Sequence, residues 1–230
     1  MGNKSKSLLA SLLITFAGVA SASGLYIHNG VDIDFPGYNG AAPNNAPVSI
    51  TGPYSLGTLG TLKTDTAGTV TATFLGDESD YNNFFRFFSP TTNASVGTLY
   101  EDNDNPHGAS ISTTVKAGDL IPFLYKDSQS VSVTNGQSNV PGGQTSVSGN
   151  WASFAMLYTL SQAGGKVYSN HNQYGTFDFI IGFNDSYSGD ADFDDYVVGV
   201  KLQPVPLPAA AWLFGSALLG FVSLSNRRKV

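Results

Sequence analysis

Thr69-Val70-Thr71-Ala72-Thr73-Phe74 alternates hydroxyl and apolar side chains residue by residue. That period of two marks a strand with one face buried and the other wet. A second run, Phe177-Asp178-Phe179-Ile180-Ile181-Gly182-Phe183, places Phe177, Phe179, Ile181 and Phe183 on a single face of another strand. Further strands are predicted over 84–88, 111–115, 120–125, 131–134, 151–160 and 196–202, with Trp151 assigned to the core. Pro122 lacks an N–H to give to a ladder, so its strand is expected at a sheet edge or a bulge. Turn chemistry separates the runs, as in Thr134-Asn135-Gly136 and Pro141-Gly142-Gly143. Residues 29–45 and 135–150, rich in Gly, Asn, Pro and Ser, read as loops. Many short strands with turns between them predict an all-β fold, an antiparallel β-sandwich or jelly-roll-like domain.

Composition supports that reading and closes several others. The chain has 230 residues, no cysteine, 26 glycines and 11 prolines, with 41% hydrophobic residues. A core of ordinary size is therefore expected. Disulfides, thiolate metal sites and cysteine nucleophiles are excluded. The formal charge is −6. All 17 acidic residues fall within 23–203, whereas five of the 11 basic ones fall outside it, leaving that stretch at −11. A surface so acidic repels nucleic acid and attracts cations.

The two ends have a different plan. Residues 1–22 read as a secretory signal peptide: Lys4 and Lys6, an apolar run over 8–19, then the small residues Ala20-Ser21-Ala22. The run is shorter than the roughly 20 residues a spanning helix needs, so cleavage after Ala22 is expected. Residues 204–230 contain Val205-Pro206-Leu207-Pro208, an uncharged stretch over 209–224, and the basic close Arg227-Arg228-Lys229. As a helix the uncharged stretch is about 24 Å long, slightly short of a hydrocarbon core of about 30 Å. The basic cluster would stay cytoplasmic and everything before it would lie outside. Residues 23–203 are then the exported domain.

Motif, apolar helix and basic tail, in that order, resemble the PEP-CTERM sorting signal in its VPLPA variant. The resemblance covers residues 205–229 and no part of the domain being delivered. It implies processing by an exosortase-type enzyme, transient anchoring in the inner membrane, and delivery to the cell surface or matrix of a Gram-negative bacterium, often one that makes exopolysaccharide. Leu207 stands where the eponymous motif has Glu, which implies a different processing enzyme for the variant.

Three oxygen-rich clusters stand out inside the domain. The sharpest is Asp190-Ala191-Asp192-Phe193-Asp194-Asp195-Tyr196. Carboxylates spaced i, i+2, i+4 in a turn can converge on Ca²⁺, which takes six to eight oxygens in flexible geometry. Asp190, Asp192, Asp194 and Asp195 are the candidate ligands. An EF-hand is excluded, because Asp195 and Lys201 occupy the places of its Gly and its bidentate Glu. The other clusters are Gly76-Asp77-Glu78-Ser79-Asp80-Tyr81-Asn82-Asn83 and Glu101-Asp102-Asn103-Asp104-Asn105. Together, Gly182-Phe183-Asn184-Asp185 and 189–198 are similar to the closing signature of an uncharacterised bacterial exported domain family, Gly-Asp-x-Asp-Tyr-Asn-Asp followed by apolar residues. Here Phe193 and Asp194 replace its Tyr and Asn. That likeness implies a β-sandwich with an acidic loop.

No catalytic constellation is present in the sequence. His28, His107 and His171 are far apart and form no H-E-x-x-H pattern, no G-x-S-x-G elbow occurs, and nothing selects Glu78 or Glu101 as glycosidase acids. The expected function is a non-catalytic exported protein of the cell surface or extracellular matrix. The alternative is a carbohydrate-binding, lectin-like module acting on exopolysaccharide, suggested by tyrosines in polar segments such as Tyr26, Tyr38, Tyr54, Tyr81, Tyr100, Tyr168, Tyr174 and Tyr187.

Overall fold

The computed structural model describes residues 24–34, 56–77, 79, 81–101, 105–128, 132–136, 145–147, 150–160, 165–168, 170–185, 193–205 and 215–219. In chain order its strands are β1 (Leu25–Asp34), β2 (Leu56–Thr64), β3 (Gly68–Gly76), β4 (Phe84–Phe88), β5 (Ser95–Tyr100), β6 (Ser110–Val115), β7 (Phe123–Lys126) and β8 (Ser132–Thr134). They continue as β9 (Thr145–Val147), β10 (Asn150–Leu157), β11 (Thr159–Leu160), β12 (Lys166–Val167), β13 (Asn170–Asn172), β14 (Gly175–Phe177), β15 (Phe179–Asp185) and β16 (Tyr196–Pro204). A large sheet has the order β1-β2-β10-β15-β16-β3-β6, with β9 also on β10, and a small sheet has the order β5-β4-β7-β8. All pairings among the described residues are antiparallel, and the architecture is sandwich-like. Residues 215–219 are helical; among the described residues no helix is long and apolar enough to cross a membrane.

The alternation in β3 does what its sequence predicts. Val70, Ala72 and Phe74 are buried in the main core, while Thr71 and Thr73 bond across to Ser112 and Ser110 of β6 at 2.8 Å each. The core lies between the sheets and is largely aromatic. Phe85, Phe123 and Tyr125 of the small sheet meet Phe154, Phe183 and Tyr196 of the large one, with Tyr125 stacked on Phe183 at 4.9 Å. Each sheet also lends the other a hydroxyl: Tyr125 donates to the Ile181 carbonyl at 3.1 Å, and Tyr196 to that of Leu99 at 3.0 Å. These bonds satisfy buried phenols and fix the rings' direction.

Several expectations need correction. Phe177 does not share a face with Phe179, Ile181 and Phe183. Asp178 interrupts the run: its N–H donates to the Val200 carbonyl and its carboxylate accepts from the Leu202 N–H. Phe177 therefore turns to a second core behind the large sheet, with Leu59, Leu75, Ile180, Phe193 and Val197. β7 is an interior strand, not an edge, because Pro122 stands just outside it and contributes only its carbonyl, to the Phe88 N–H. Residues 29–34, expected in a loop, belong to β1, whose bulge after His28 absorbs Asn29 in a left-handed conformation, φ 53°. Residues 145–147 likewise pair with β10. The Trp151 side chain lies outside the described residues.

The two ends of the paired sheets differ in chemistry. At one end β2 leaves β10 after Thr58, and Lys63 bridges Leu120 while Thr64 bonds to Asp119 and Gly118. Asn135, just past β8, secures this crossing. Its Nδ2 donates to the carbonyls of Leu62 and Ile121, both at 2.7 Å, and its Oδ1 accepts the Leu62 N–H at 2.9 Å. The turn after β2 holds the chain just before β1 and just after β16, because Asp65 N–H donates to the Gly24 carbonyl and Val205 N–H to that of Ala67.

Candidate functional site

The opposite end collects acids, and strand direction is the reason. β3, β5, β7 and β15 all finish there and β4 and β16 start there, as the pairings Gly76–Val197, Phe84–Tyr100, Phe84–Lys126 and Phe183–Tyr196 require. The flanking residues Asp77, Asn83, Glu101, Asp127, Asp185 and Asp195 are thereby brought to one place. All but Asp195, which is half-buried, are buried. Three clusters separated in sequence thus contribute to one site.

Their geometry is close. Asp185, 2% exposed, accepts through Oδ2 from the Ser79 hydroxyl and from Asn83 Nδ2, the latter at 3.0 Å. Ser79 Oγ also accepts the Tyr81 N–H at 2.8 Å. Asn83 and Glu101 clasp reciprocally: the Asn83 N–H donates to Glu101 Oε2 at 2.8 Å, and the Glu101 N–H to the Asn83 carbonyl at 2.9 Å. Asp195 Oδ2 accepts the Asp185 N–H at 2.7 Å, while the Asp195 carbonyl lies 3.4 Å from Asn83 Nδ2. Asp77 faces His107 Nε2 across 3.6 Å.

Asn83 is anomalous. Its side chain is 1% exposed, and its Oδ1 is buried with no hydrogen-bond partner. Flipping the amide does not help, because the oxygen would then face the Asp185 carboxylate. An orphaned buried acceptor costs about 1–3 kcal/mol. Tyr196 forms the floor: burial, reinforced by the charges of Asp77 and Glu101, pushes its phenol well above the ordinary tyrosine range.

Of the four predicted metal ligands, Asp190 and Asp192 lie outside the described residues. Asp194 and Asp195 are both half-buried, and Asp195 is directed back to cap Asp185. Among the described residues no group of three or more His, Asp or Glu side chains is placed to hold a metal by itself. An oxygen set built from the described residues would therefore draw on amide and carbonyl groups. Of the sorting-motif residues, Val205 is described and exposed, whereas Pro206, Leu207, Pro208, Arg227, Arg228 and Lys229 lie outside the described residues. So do Tyr38, Tyr54 and Tyr187.

A second arrangement occupies the outer face of the small sheet. Tyr100, 42% exposed, lies beside Phe84 with ring centroids 5.6 Å apart, and the Arg86 guanidinium sits 4.8 Å from the Phe84 ring. Arg86 Nε is held by Thr98 Oγ1 at 2.8 Å. Sequence reasoning found Tyr100 but missed this platform, because β5 was not recognised as a strand.

Comparison with known protein families, with curated proteins and with solved structures returns no match for this chain.

Proposed function

We propose that the protein is an exported, non-catalytic component of the cell surface or extracellular matrix, anchored transiently in the inner membrane through residues 204–230 and released by an exosortase-type enzyme. The carrying observation is that both limits of the folded domain meet at one turn, Gly24 through Asp65 and Val205 through Ala67. A leader before Gly24 and an anchor after Val205 would thus lie on one side of the domain, as a membrane on that side demands. The β16 ladder ends at Pro204, and among the described residues after it none is buried.

Intact-mass measurement on protein from its native host tests the reading. The expected species begins near Ser23 and lacks Arg227, Arg228 and Lys229. A steady-state product retaining Met1 or the basic tail contradicts it. Replacing the three basic residues together by Ser should slow processing and weaken membrane retention.

The Tyr100–Phe84–Arg86 platform favours a second reading, binding of exopolysaccharide by this domain. A tilted aromatic pair, its planes 51° apart, beside a fixed guanidinium can stack one ring on a sugar and bond its hydroxyl or carboxylate oxygens. Tyr100→Ala should then abolish binding on a glycan array without lowering the melting temperature. Binding unaffected by the substitution removes this reading.

A further inference from the structure

We propose that the acid end is a divalent-cation site, best suited to Ca²⁺, whose oxygens centre on Asn83 Oδ1 and Asp185 and not on the turn at 190–194. The inference is independent of export and stands on the domain alone.

Two observations converge. Asp77, Glu101 and Asp185 are buried at the ends of three different strands; the Asn83 backbone N–H donates to Glu101, and its side-chain amide donates to Asp185. That same amide presents an acceptor oxygen to which nothing donates. A buried acceptor beside buried carboxylates calls for a partner that is positive and accepts lone pairs from several sides at once. A water molecule could donate to Oδ1, but it would leave the charge of Asp77 and Asp185 as it was. A cation answers both.

The donor types select the ion. Amide and backbone carbonyl oxygens mixed with carboxylates are ordinary Ca²⁺ ligands, and the flexible geometry of Ca²⁺ tolerates an irregular set. Mg²⁺ demands near-ideal octahedral placement and retains its waters. The Asp195 carbonyl lies near the Asn83 amide, Asp185 has a second carboxylate oxygen beside the one already bonded, and the Ser79 hydroxyl is at hand. Residues distant in sequence, brought together by the strand ends, thereby supply one set.

The test uses the full chain in detergent. Melting temperature is measured in EDTA, in millimolar Ca²⁺ and in millimolar Mg²⁺, with tyrosine-sensitised Tb³⁺ luminescence as a direct binding readout through Tyr196. At a hundredfold excess over Kd, Ca²⁺ should raise the melting temperature by roughly 5–10 °C. Mg²⁺ should do little. Asn83→Ala should remove the Ca²⁺ shift and the luminescence. Asn83→Asp is the sharper variant: it adds a charge beside Asp185, so it should melt lower than the parent in EDTA yet gain a larger shift from Ca²⁺. Asp192→Ala should leave the shift intact.

A melting curve that ignores Ca²⁺, with no Tb³⁺ signal, overturns the proposal. So does a Ca²⁺ shift lost in Asp192→Ala but kept in Asn83→Ala, which would return the ion to the sequence-predicted turn. An Asn83→Asp variant equally destabilised with and without Ca²⁺ also counts against it, since a purely structural amide would behave that way.

Discussion

Two buried asparagines, Asn135 and Asn83, sit at opposite ends of the same small sheet, and they use the same amide differently. Asn135 spends both N–H groups and its oxygen on backbone, closing the corner where β2 crosses between the sheets. Asn83 gives its N–H groups to the acid end and keeps an orphaned oxygen. The first amide is finished by the fold; the second is unfinished without a partner. Burial alone therefore does not distinguish structure from function here. Completeness of hydrogen bonding is what separates these two amides.

The comparison is broken most forcefully at Asn135. Asn135→Ala would strand the Leu62 N–H and two carbonyls in the interior, at a cost of about 3 kcal/mol. Chemical denaturation should show the same loss in EDTA and in Ca²⁺, because this end has no role for an ion. A Ca²⁺-dependent loss would mean that the two ends are coupled.

Gly182→Ala comes next, at about 2 kcal/mol, since overpacking commonly costs 1–3. A Cβ there would stand 2.0 Å from the Phe193 carbonyl oxygen, where the chain turns with φ 62° toward Asp195. Lowered stability together with weakened Tb³⁺ binding would show that this turn shapes the acid end. Lowered stability alone would confine its role to packing.

Alkaline pH sharpens the contrast at the core. Burial holds Tyr125 and Tyr196 well above their ordinary value of 10.0. A group whose folded pKa is raised contributes fully below its unfolded value and loses that contribution as pH climbs toward the folded one. Stability should therefore be flat up to pH 10 and fall above it, by about 1 kcal/mol per tyrosine at one pH unit higher. Tyr196→Phe should flatten the slope in a melting series between pH 8 and 11, though it sacrifices the bond to Leu99.

The smallest effect belongs to a pair away from both ends. Lys166 and Asp32 form an exposed ion pair, and its hydrogen bond holds the Asp32 carboxyl below its ordinary 3.8. That contribution is present above pH 3.8 and fades as pH falls below it. Solvent screening limits Lys166→Ala to about 0.5 kcal/mol or less at neutral pH. A larger loss by thermal denaturation would show that Lys166 matters through its packing over the Tyr158 ring at 5.1 Å.

The strands legible in the sequence were those whose side chains alternate or whose rings cluster, β3, β4, β15 and β16 above all. The longer ones that were missed, β1, β2 and β5, are interrupted by glycine. β2 reads Leu-Gly-Thr-Leu-Gly-Thr-Leu-Lys-Thr, which resembles a loop, yet Gly60 is small because β1 crosses it closely: a Cβ there would meet Ile27 at 2.8 Å and the Gly30 backbone at 3.0 Å. Each acid cluster was visible as composition. Their meeting was not, because it depends on which strand ends share an end of the sheets, and long-range pairing leaves no local mark. The orphaned oxygen of Asn83 was invisible for the same reason: nothing distinguishes one asparagine in an acidic stretch from its neighbours until the fold assigns its partners.

β16 links the two ends directly. It runs from Tyr196, beside the acids, to Pro204, beside the turn that holds Gly24 and Val205, a span of about 30 Å at roughly 3.3 Å per residue. Its neighbours β15 and β3 flank it on both sides. A pull between something gripped at the acid end and a tether at the other would act along this strand, in shear. The ladder bonds on both flanks would then bear the load together and not one after another, as they would if peeled from an end. In a chain with no cysteine to cross-link it, that alignment would supply tensile strength without a covalent staple.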